Sequence, residues 1–288
     1  MVRGSMTKEE VLIEALPYIS TYEGKTFVVK YGGAAMSEDS LKRTFAQDVT
    51  LLKKIGIRLI IVHGGGKEIT AMLDRLGVAT RFVDGQRYTD QESLAVVEMV
   101  LAGKINKEIV SLINEVDGGA IGLSGIDGGL LEADHVDREK LGAVGNVRTV
   151  RSDLLRGMLD RNWMPVIATL GVTPSGEHLN INADYAAAAI AAALDAEKLV
   201  YISDVPGVIK DGTLVPTLTE SEAEELIAAG VITDGMIPKI QTAFKTVGAG
   251  VRKVHMIDGR VPHSLLLEIF TSEGIGTQFI RATTQEEA

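Results

Sequence analysis

Cysteine is absent from the 288 residues of this sequence, so disulfides and thiolate metal sites are excluded and a reducing compartment is compatible with it. Long apolar runs are absent too, because the alanine-rich stretch 186–194 is too short to cross a membrane. Aromatic residues make up only 5% of the chain, which favours alanine- and valine-rich strands covered by helices over a β-sandwich. We therefore expect a cytoplasmic α/β protein with no membrane partner.

Positive charge is also scarce, since the formal net charge is −10 and no basic tract interrupts the sequence. A nucleic-acid partner is therefore not expected. An acidic protein that binds anions has to concentrate its cations locally, which draws attention to individual lysines and arginines. An apolar content of 45% over this length is enough for one large α/β unit or for two closely joined lobes.

Two glycine clusters directly follow apolar, strand-like runs. The first run ends in Lys-Tyr-Gly-Gly at 30–33, and the second ends in His-Gly-Gly-Gly at 63–66. Glycine lets backbone N–H groups approach an anion closely, and the start of a following helix adds partial positive charge. The pair predicts a polyphosphate held between two strand ends with Lys30 as a fixed cation, although two tight turns without a ligand would look the same. His63 is expected to be a structural histidine bonded to the backbone.

The order of the elements predicts a parallel sheet with right-handed crossovers. Two strands each lead into a helix: 26–31 into 38–55, and 58–62 into 68–76. An alanine-dense helix from 184 to 194 ends near a boundary between two lobes. A separate helix at 9–19 precedes the first core strand, and its apolar stripe favours an oligomer contact over packing on its own domain.

Three further places carry polar residues suited to chemistry. Asn180, Asn182 and Asp184 stand at the mouth of the alanine-dense helix, where they could orient cations, ligate Mg²⁺ or bind a carboxylate, or where Asp184 could simply cap the helix. Lys239 lies in the first turn of a helix, where an anionic ligand would offset its unfavourable place in the helix dipole, although a solvated surface lysine fits equally well. Arg87, in a polar loop, could hold a carboxylate through two hydrogen bonds.

Six motifs in sequence order closely resemble the amino-acid kinase family. They are Lys-Tyr-Gly-Gly at 30–33, His-Gly-Gly-Gly at 63–66, Gly-Gln-Arg-Tyr-Thr at 85–89, Asn-Ile-Asn-Ala-Asp at 180–184, Ser-Asp-Val-Pro-Gly at 203–207 and Gly-Met-Ile-Pro-Lys at 235–239. Within the family, the match is to the members that phosphorylate N-acetyl-L-glutamate, and it spans residues 11–280. The resemblance implies a three-layer αβα sandwich with a central mostly parallel sheet, the amino-acid kinase fold.

What the resemblance implies for function is transfer of a phosphoryl group from ATP to the γ-carboxylate of N-acetyl-L-glutamate, a step of arginine biosynthesis, with Mg²⁺ carried by the nucleotide. It implies three segments: an N-terminal interlacing helix at 6–22, an acetylglutamate-binding lobe at 23–194 and an ATP-binding lobe at 195–282. It also implies three sets of residues: Lys30 and Lys239 as catalytic cations oriented by Asp184; Gly64, Gly65, Arg87 and Asn180 at the substrate; and Gly32, Gly33, Ser203, Asp204, Gly207, Gly235 and Met236 at the phosphates and nucleotide.

This reaction suits the residues present. A γ-carboxylate, whose ordinary pKa is about 4.3, is already ionised at neutral pH and needs no general base. Bringing that anion to a triphosphate requires positioning by lysines, backbone amides and Mg²⁺. The lack of a Ser/His/Asp set is therefore expected.

Two segments near the ends of the sequence resemble the arginine-inhibited, hexameric branch of the family: Glu-Ala-Leu-Pro-Tyr at 14–18, and the run from His263 to Thr271 continuing through Gly274 and Gly276. That branch implies a homo-hexamer built as a trimer of dimers, with the N-terminal helices as oligomerisation elements. It also implies L-arginine as a feedback inhibitor, bound near Tyr18, His255, Glu268 and Gly274. A PII-type signalling protein is a further partner that the resemblance leaves open.

Two departures from the family pattern leave the choice of acceptor open. Lys67 stands where many relatives carry proline, and Ile126 stands where a lysine is frequent. The rival functions are a carboxylate kinase of the aminoadipate or aspartate type and a non-catalytic protein that senses arginine or a nucleotide. Retention of Lys30, Asp184 and Lys239 argues against the non-catalytic alternative.

Overall fold

The computed structural model describes residues 8–233, 235–271 and 274–281. Residues 6 and 7 of the expected N-terminal segment and residue 282 of the expected ATP-binding lobe lie outside the described residues.

The helices are α1 Lys8–Tyr22, α2 Asp39–Lys54, α3 Gly66–Leu76, α4 Gln91–Glu98, α5 Asn106–Glu115, α6 Arg138–Leu141, α7 Ser152–Asp160, α8 Ala183–Ala193, α9 Glu220–Ala228, α10 Met236–Gly248 and α11 Ser264–Phe270. The strands are β1 Thr26–Tyr31, β2 Arg58–His63, β3 Phe82–Val83, β4 Gln86–Arg87, β5 Ala120–Ser124, β6 Leu131–His135, β7 Val144–Val150, β8 Met164–Ala168, β9 Leu170–Val172, β10 His178–Ile181, β11 Lys198–Ser203, β12 Ile209–Lys210, β13 Thr213–Leu214, β14 Thr217–Leu218, β15 Lys253–Asp258 and β16 Thr277–Phe279.

The main sheet has eight strands within the described part of the chain, in the order β14-β16-β15-β11-β1-β2-β8-β5. All neighbouring pairs from β15 to β5 are parallel, whereas β16 runs antiparallel to β15. The central strands are near-continuous apolar runs because helices cover both of their faces. The prediction of an α/β fold with a mostly parallel sheet is confirmed.

Two hydrophobic cores lie on opposite faces of this sheet. Val28 belongs to the core that includes α8 and α10, while its neighbours Phe27 and Val29 belong to the core that includes α2 and α5. This alternation follows from the two-residue period of a strand. The result is the three-layer arrangement, with the carboxyl ends of β1 and β2 open towards one edge.

Two smaller sheets lie beside the carboxyl ends of the central strands. The sequence pattern from 128 to 150, with its glycines, predicts β-hairpins, and this is confirmed because β6 and β7 pair antiparallel. Together with β9 and β10 they form a closed four-stranded sheet. The short hairpin of β3 and β4 stands beside it. These elements carry Asn180 and Arg87 respectively.

The sequence predicts two helices, around 91–101 and 105–116, whereas the structure has one nearly continuous helix over this stretch. A π-helical segment, Met99–Ile105, joins α4 directly to α5. Such an insertion widens a helix without interrupting it, and it is frequent at functional sites. In the described part of the chain, none of the helices combines the length and apolarity needed to cross a membrane.

Helix α1 packs partly on its own chain. Its Tyr18 and Tyr22 rings stack at 6.4 Å, Tyr22 meets Phe27 edge-on at 5.1 Å, and the helix contacts α11. Ile13 and Leu16 remain 65% and 56% exposed. The intramolecular packing goes beyond the sequence-based expectation, and the oligomer contact stays a prediction for the exposed pair.

Candidate active site

Lys30 is held by a carboxylate at the open edge of the sheet. It lies near the end of β1, and its Nζ is 3.0 Å from Oδ1 of Asp184 at the start of α8, with the two side chains 14% and 20% exposed. A Cβ on Gly32 would come within 2.8 Å of that Nζ. A side chain at position 32 would therefore crowd the Lys30 ammonium group, and glycine avoids this.

Asn182, and not Asp184, caps helix α8. Its Oδ1 accepts hydrogen bonds from the backbone N–H groups of Asp184 at 2.9 Å and Tyr185 at 3.3 Å. The interpretation of Asp184 as a cap is thus wrong, because its carboxylate faces Lys30 instead of the helix N-terminus. Two asparagines precede this aspartate because one of them is needed for capping.

Lys239, in the first turn of α10, lines the same small pocket. The pocket is lined by Lys30, Asp184, Tyr201, Ser203, Lys239 and Met256. The Tyr201 hydroxyl donates to the backbone oxygen of Asp184 at 3.3 Å, and burial raises the pKa of this phenol, which stays a neutral donor. Two lysines from distant parts of the chain, on β1 and α10, therefore line one pocket together with the Asp184 carboxylate.

Two glycine turns lie at the same carboxyl ends of the strands: Gly32 and Gly33 after β1, the first glycine corner, and Gly64 to Gly66 after β2, the second glycine corner. Gly33 has a φ of +71°, and a Cβ there would lie 2.2 Å from Oδ1 of Asp204. A Cβ on Gly65 would lie 2.2 Å from Cδ1 of Ile105 in the π segment. Helix α3 begins immediately after it, at Gly66, so N–H groups without intrahelical partners face this region. Both corners require glycine for packing reasons as well as for any anion.

An open cleft of about 320 Å³ extends from these corners between α3, the β3–β4 hairpin and β10. Arg87 lies in its wall, 8% exposed. Its Nη2 donates to the Gly66 oxygen at 3.0 Å and to Thr70 Oγ1 at 2.7 Å, whereas its Nη1 is buried and has no partner among the described residues. Asn180 also lines the cleft and donates from Nδ2 to Thr89 Oγ1 at 3.2 Å. Because an unpartnered buried donor is costly, the site fits an incoming carboxylate.

His63 is structural, as expected. It is fully buried, its Nδ1 donates to the Gly64 oxygen at 3.0 Å, and its Nε2 accepts from Asn106 Nδ2 at 3.1 Å. Burial lowers its pKa to about 4, so the imidazole stays neutral. Asn106 also donates to the Val166 oxygen at 2.9 Å. It was not expected from the sequence, because Lys104, Lys107 and Glu108 surround it and give it the pattern of an ordinary polar surface residue.

The residues expected at the nucleotide are spread over the neighbouring part of the edge. Ser203 lines the pocket shared by the two lysines, and its Oγ accepts from Val205 N at 3.4 Å. Asp204 reaches across the cleft, with its Oδ2 3.8 Å from Lys67 Nζ. Gly207, Gly235 and Met236 do not line that pocket: Gly207 packs against Thr277, and the other two lie at the start of α10.

Three of the residues expected to bind L-arginine form a second cluster, towards the amino ends of the sheet strands. His255 Nδ1 donates to Glu268 Oε1 at 2.6 Å, and Gly274 lies so close that its Cβ would be 2.8 Å from Glu268 Oε2. Lys198, which was not expected from the sequence, places its Nζ 3.0 Å from His255 Nε2 and 5.0 Å above the ring of Tyr22. Burial lowers the pKa of Lys198 to about 8.

Tyr18 reaches this second cluster only indirectly, through its stack on Tyr22. The carboxylate of Glu268 is further bonded by the N–H groups of Ile275 and Gly276, at 2.8 and 2.9 Å. Within residues 8–233, 235–271 and 274–281, no group of three or more His, Cys, Asp or Glu side chains is arranged to hold a metal ion.

A parallel sheet with glycine corners and a lysine–carboxylate pocket at its carboxyl edge defines a class of phosphoryl-transfer folds. The chain belongs to the amino acid kinase family, whose model matches residues 25–258. The family stated from the six motifs is thereby confirmed.

Individual relatives sharpen the comparison. The chain is 53% identical over 272 residues to the acetylglutamate kinase of Chlorobium chlorochromatii (strain CaD3), which covers 94% of this chain and 95% of that protein. A solved structure of N-acetylglutamate synthase from Neisseria gonorrhoeae, complexed with coenzyme A and N-acetyl-glutamate, is 29% identical with a TM-score of 0.86 and covers 97% of this chain and 65% of that chain. The same synthase complexed with coenzyme A and L-arginine is also 29% identical, has a TM-score of 0.80 and covers 96% of this chain and 66% of that chain. This chain therefore spans only about two thirds of the synthase.

Proposed function

We propose that this chain phosphorylates the γ-carboxylate of N-acetyl-L-glutamate with ATP–Mg²⁺, giving N-acetyl-L-glutamyl 5-phosphate in the cytoplasm. A γ-carboxylate oxygen attacks the γ-phosphorus, the bond to the β,γ-bridging oxygen breaks, and ADP leaves. Mg²⁺ carried by the nucleotide would neutralise part of the phosphate charge. The step needs no proton transfer. The observation that carries the proposal is the pocket lined by Lys30, Asp184 and Lys239, of which Lys30 and Asp184 also line the cleft that contains the glycine corners.

The electrostatics of this pocket support transfer between two anions. Lys30 and Lys239 approach from different elements, so they can hold the transferring group from opposite sides while Asp184 fixes the ammonium of Lys30. Fixed cations aimed at developing charge are the main source of rate in such reactions. The γ-phosphate would occupy the first corner, at Gly32 and Gly33, and the acceptor would extend along the second, at Gly64 and Gly65.

The acceptor cleft supports a substrate with a second carboxylate. Arg87 has one buried guanidinium nitrogen still to be satisfied, and its other nitrogen is already fixed by Gly66 and Thr70. A rigid, partly satisfied guanidinium suits a carboxylate better than a neutral group. Asn180 lies across the cleft and offers an amide to the same end of the substrate. We assign residues 23–194 to acetylglutamate and residues 195–282 to ATP on this basis.

The test is ADP formation with N-acetyl-L-glutamate, L-glutamate, L-aspartate and L-2-aminoadipate assayed side by side. We expect turnover with N-acetyl-L-glutamate to exceed that with any other acceptor by at least about a hundredfold, because a site built to bond a polar group rejects analogues that lack it. Preferred use of aspartate or aminoadipate would assign the chain to another carboxylate kinase. No turnover with any acceptor, together with tight nucleotide or arginine binding, would favour a sensing protein.

We also propose that L-arginine inhibits the enzyme and that a hexamer forms through the exposed apolar side of α1. His255, Glu268 and Gly274 already lie in mutual contact, and Tyr18 is one stacked ring away, on the helix that carries exposed Ile13. The relation to a synthase solved with L-arginine supports this assignment. An effector at a contact between α1 and α11 can favour one arrangement of the lobes over another.

The arginine proposal is tested by titrating L-arginine to millimolar concentrations while following both activity and sedimentation. Inhibition, with a particle of hexamer mass, is expected. Activity and sedimentation that stay unchanged up to millimolar L-arginine would contradict the arginine proposal. A PII-type protein added to the same assay is expected to change the arginine concentration for half inhibition if such a partner binds.

A further inference from the structure

One buried carboxylate has no part in the proposed reaction. Asp48 lies within α2 with its side chain only 3% exposed, and its Oδ1 accepts a hydrogen bond of 2.6 Å from His263 Nδ1. Burial raises the pKa of Asp48 to about 6, and the imidazole opposes that rise. Enclosing a carboxylate costs free energy unless a partner bonds it, and for Asp48 that partner is the half-exposed imidazole of His263.

His263 belongs to a distant part of the sequence. It ends the loop between β15 and α11 and directly precedes α11. Its φ of +57° is left-handed, a conformation that is unfavourable for a non-glycine residue. The bond to Asp48 therefore ties a strained loop of the proposed ATP lobe to a helix of the proposed acetylglutamate lobe.

The tied loop packs behind the first glycine corner. A Cβ on Gly259 would lie 2.8 Å from Ala35 Cβ and 2.6 Å from Ile202 Cγ2, so the loop and the 3₁₀ turn Gly33–Met36 are in close contact. That turn begins at Gly33 and directly follows Gly32. The loop therefore packs against the segment that forms the first glycine corner, and a displaced loop would shift that segment.

The same turn is held from its other side by α2. The Tyr31 hydroxyl donates to the Ala35 oxygen at 2.7 Å, and the Tyr31 ring stacks on Phe45 with 3.8 Å between centroids. Phe45 and Asp48 are three residues apart on α2 and so share one face of the helix. Helix, turn and loop form a closed circuit in which the Asp48–His263 bond is the closing contact.

We propose that Asp48 and His263 are positioning residues that hold the turn after Gly32 and Gly33, so that its backbone N–H groups meet the γ-phosphate of ATP. This inference rests on the proposed kinase function, which puts the γ-phosphate at that corner. Neither residue touches the nucleotide. Their effect passes through Ala35, and it concerns the γ-phosphate and not the remainder of ATP.

The test is the ratio of the affinities for ATP and ADP, measured by calorimetry with Mg²⁺ and without acceptor. Asp48→Ala is expected to lower the preference for ATP about tenfold, because misaligned donors lose charge-assisted hydrogen bonds. His263→Gly tolerates the left-handed backbone, removes the imidazole from a half-exposed position and is expected to give the same loss. Asp48→Asn keeps an oxygen that accepts from the imidazole and is expected to restore the preference to within about twofold.

The control is Leu159→Ala, a core substitution on α7 that lowers thermal stability away from the corner. It is expected to leave the ATP-to-ADP ratio unchanged. An unchanged ratio in His263→Gly, or an equal loss in Leu159→Ala, would overturn the positioning role. Because binding is measured without acceptor, a wrong acceptor assignment would leave the expected ratios intact. A wild-type chain that binds ATP and ADP equally would contradict the positioning role, whereas the kinase function is tested separately by turnover.

Discussion

Lys30 and Lys198 lie on neighbouring strands of one sheet, yet their surroundings differ. The register pairs Lys30 with Tyr201 and Phe27 with Lys198, so Lys30 is near the carboxyl end of its strand and Lys198 is at the amino end of its own. Lys30 stays partly exposed and faces Asp184, whereas Lys198 is 3% exposed and contacts His255. At the carboxyl ends of the strands, Lys30 stays partly exposed beside the proposed substrate cleft. At the amino ends, Lys198 is enclosed by the Tyr22 ring and the His255 imidazole.

This difference suggests a division of labour between the two edges. In open parallel sheets ligands bind beyond the carboxyl ends of the strands, which is where the glycine corners, Arg87 and Asn180 are found. At the amino ends, Lys198 and His255 contact Tyr22 of α1 and Glu268 of α11, and among the described residues neither helix contributes to the lining of the proposed substrate cleft. Substitutions at the two edges should therefore change different properties of the enzyme.

The largest effect is expected from Lys30→Ala. Removing a fixed cation from the transferring group should lower kcat by about a hundredfold or more while KM for N-acetyl-L-glutamate changes little. Lys239→Ala should act similarly. Lys25→Ala, just before the same strand and exposed, is the matched control and should retain wild-type turnover. Near-wild-type turnover in Lys30→Ala would remove the pocket from the mechanism.

Glu268→Gln should act on the other edge of the sheet. The substitution weakens the bond from His255 and the charge available to a guanidinium, so the arginine concentration for half inhibition should rise at least about tenfold. The measurement is an arginine titration of initial rates with saturating substrates. A kcat that drops as far as in Lys30→Ala, with unchanged arginine sensitivity, would show that the two edges are not separate.

Arg87→Lys should mainly change substrate affinity. Lysine cannot reproduce a planar pair of donors while also bonding Gly66 and Thr70, so KM for N-acetyl-L-glutamate should rise about tenfold, more than kcat falls. Steady-state kinetics at saturating ATP measure both. A KM within twofold of wild type would mean that the unpartnered Nη1 does not meet the acceptor.

The smallest effect concerns stability. The pKa of His63 is about 4 in the fold against an ordinary 6.5, so the unfolded chain takes up a proton first on acidification. This contribution to stability is complete above pH 6.5 and is lost as the pH falls towards 4, by about 1.4 kcal/mol per pH unit. Denaturant unfolding at pH 7 and pH 5 should show a smaller loss in His63→Gln than in wild type. Equal losses would contradict a neutral, buried His63.

Much of the site could be predicted from the sequence because its motifs are local. The two corners, the helix mouth at 180–184 and the segment at 235–239 each combine glycine or polar residues with a strand end or helix start, and the family orders them. Family membership and the mostly parallel sheet are confirmed, while the roles of individual residues stay predictions. The meeting of Lys30 with Asp184 was expected from the family alone.

What escaped prediction depends on contacts between distant segments. Lys198 looks like an ordinary strand-entry lysine until α1 brings Tyr22 over its ammonium group. Asn106 and the π segment Met99–Ile105 become recognisable only when β2 and the second corner pack against them. The exchange of roles between Asn182 and Asp184 is of the same kind, since the nearby Lys30 decides which side chain caps the helix.

The central claim is that the pocket of Lys30, Asp184 and Lys239 phosphorylates a carboxylate, and trapping the product with hydroxylamine tests it most directly. With N-acetyl-L-glutamate, ATP and Mg²⁺, wild type and Lys25→Ala should form the acetylglutamyl γ-hydroxamate in step with ADP, and Lys30→Ala should form almost none. ADP released without hydroxamate, or hydroxamate formed equally well by Lys30→Ala, would contradict it.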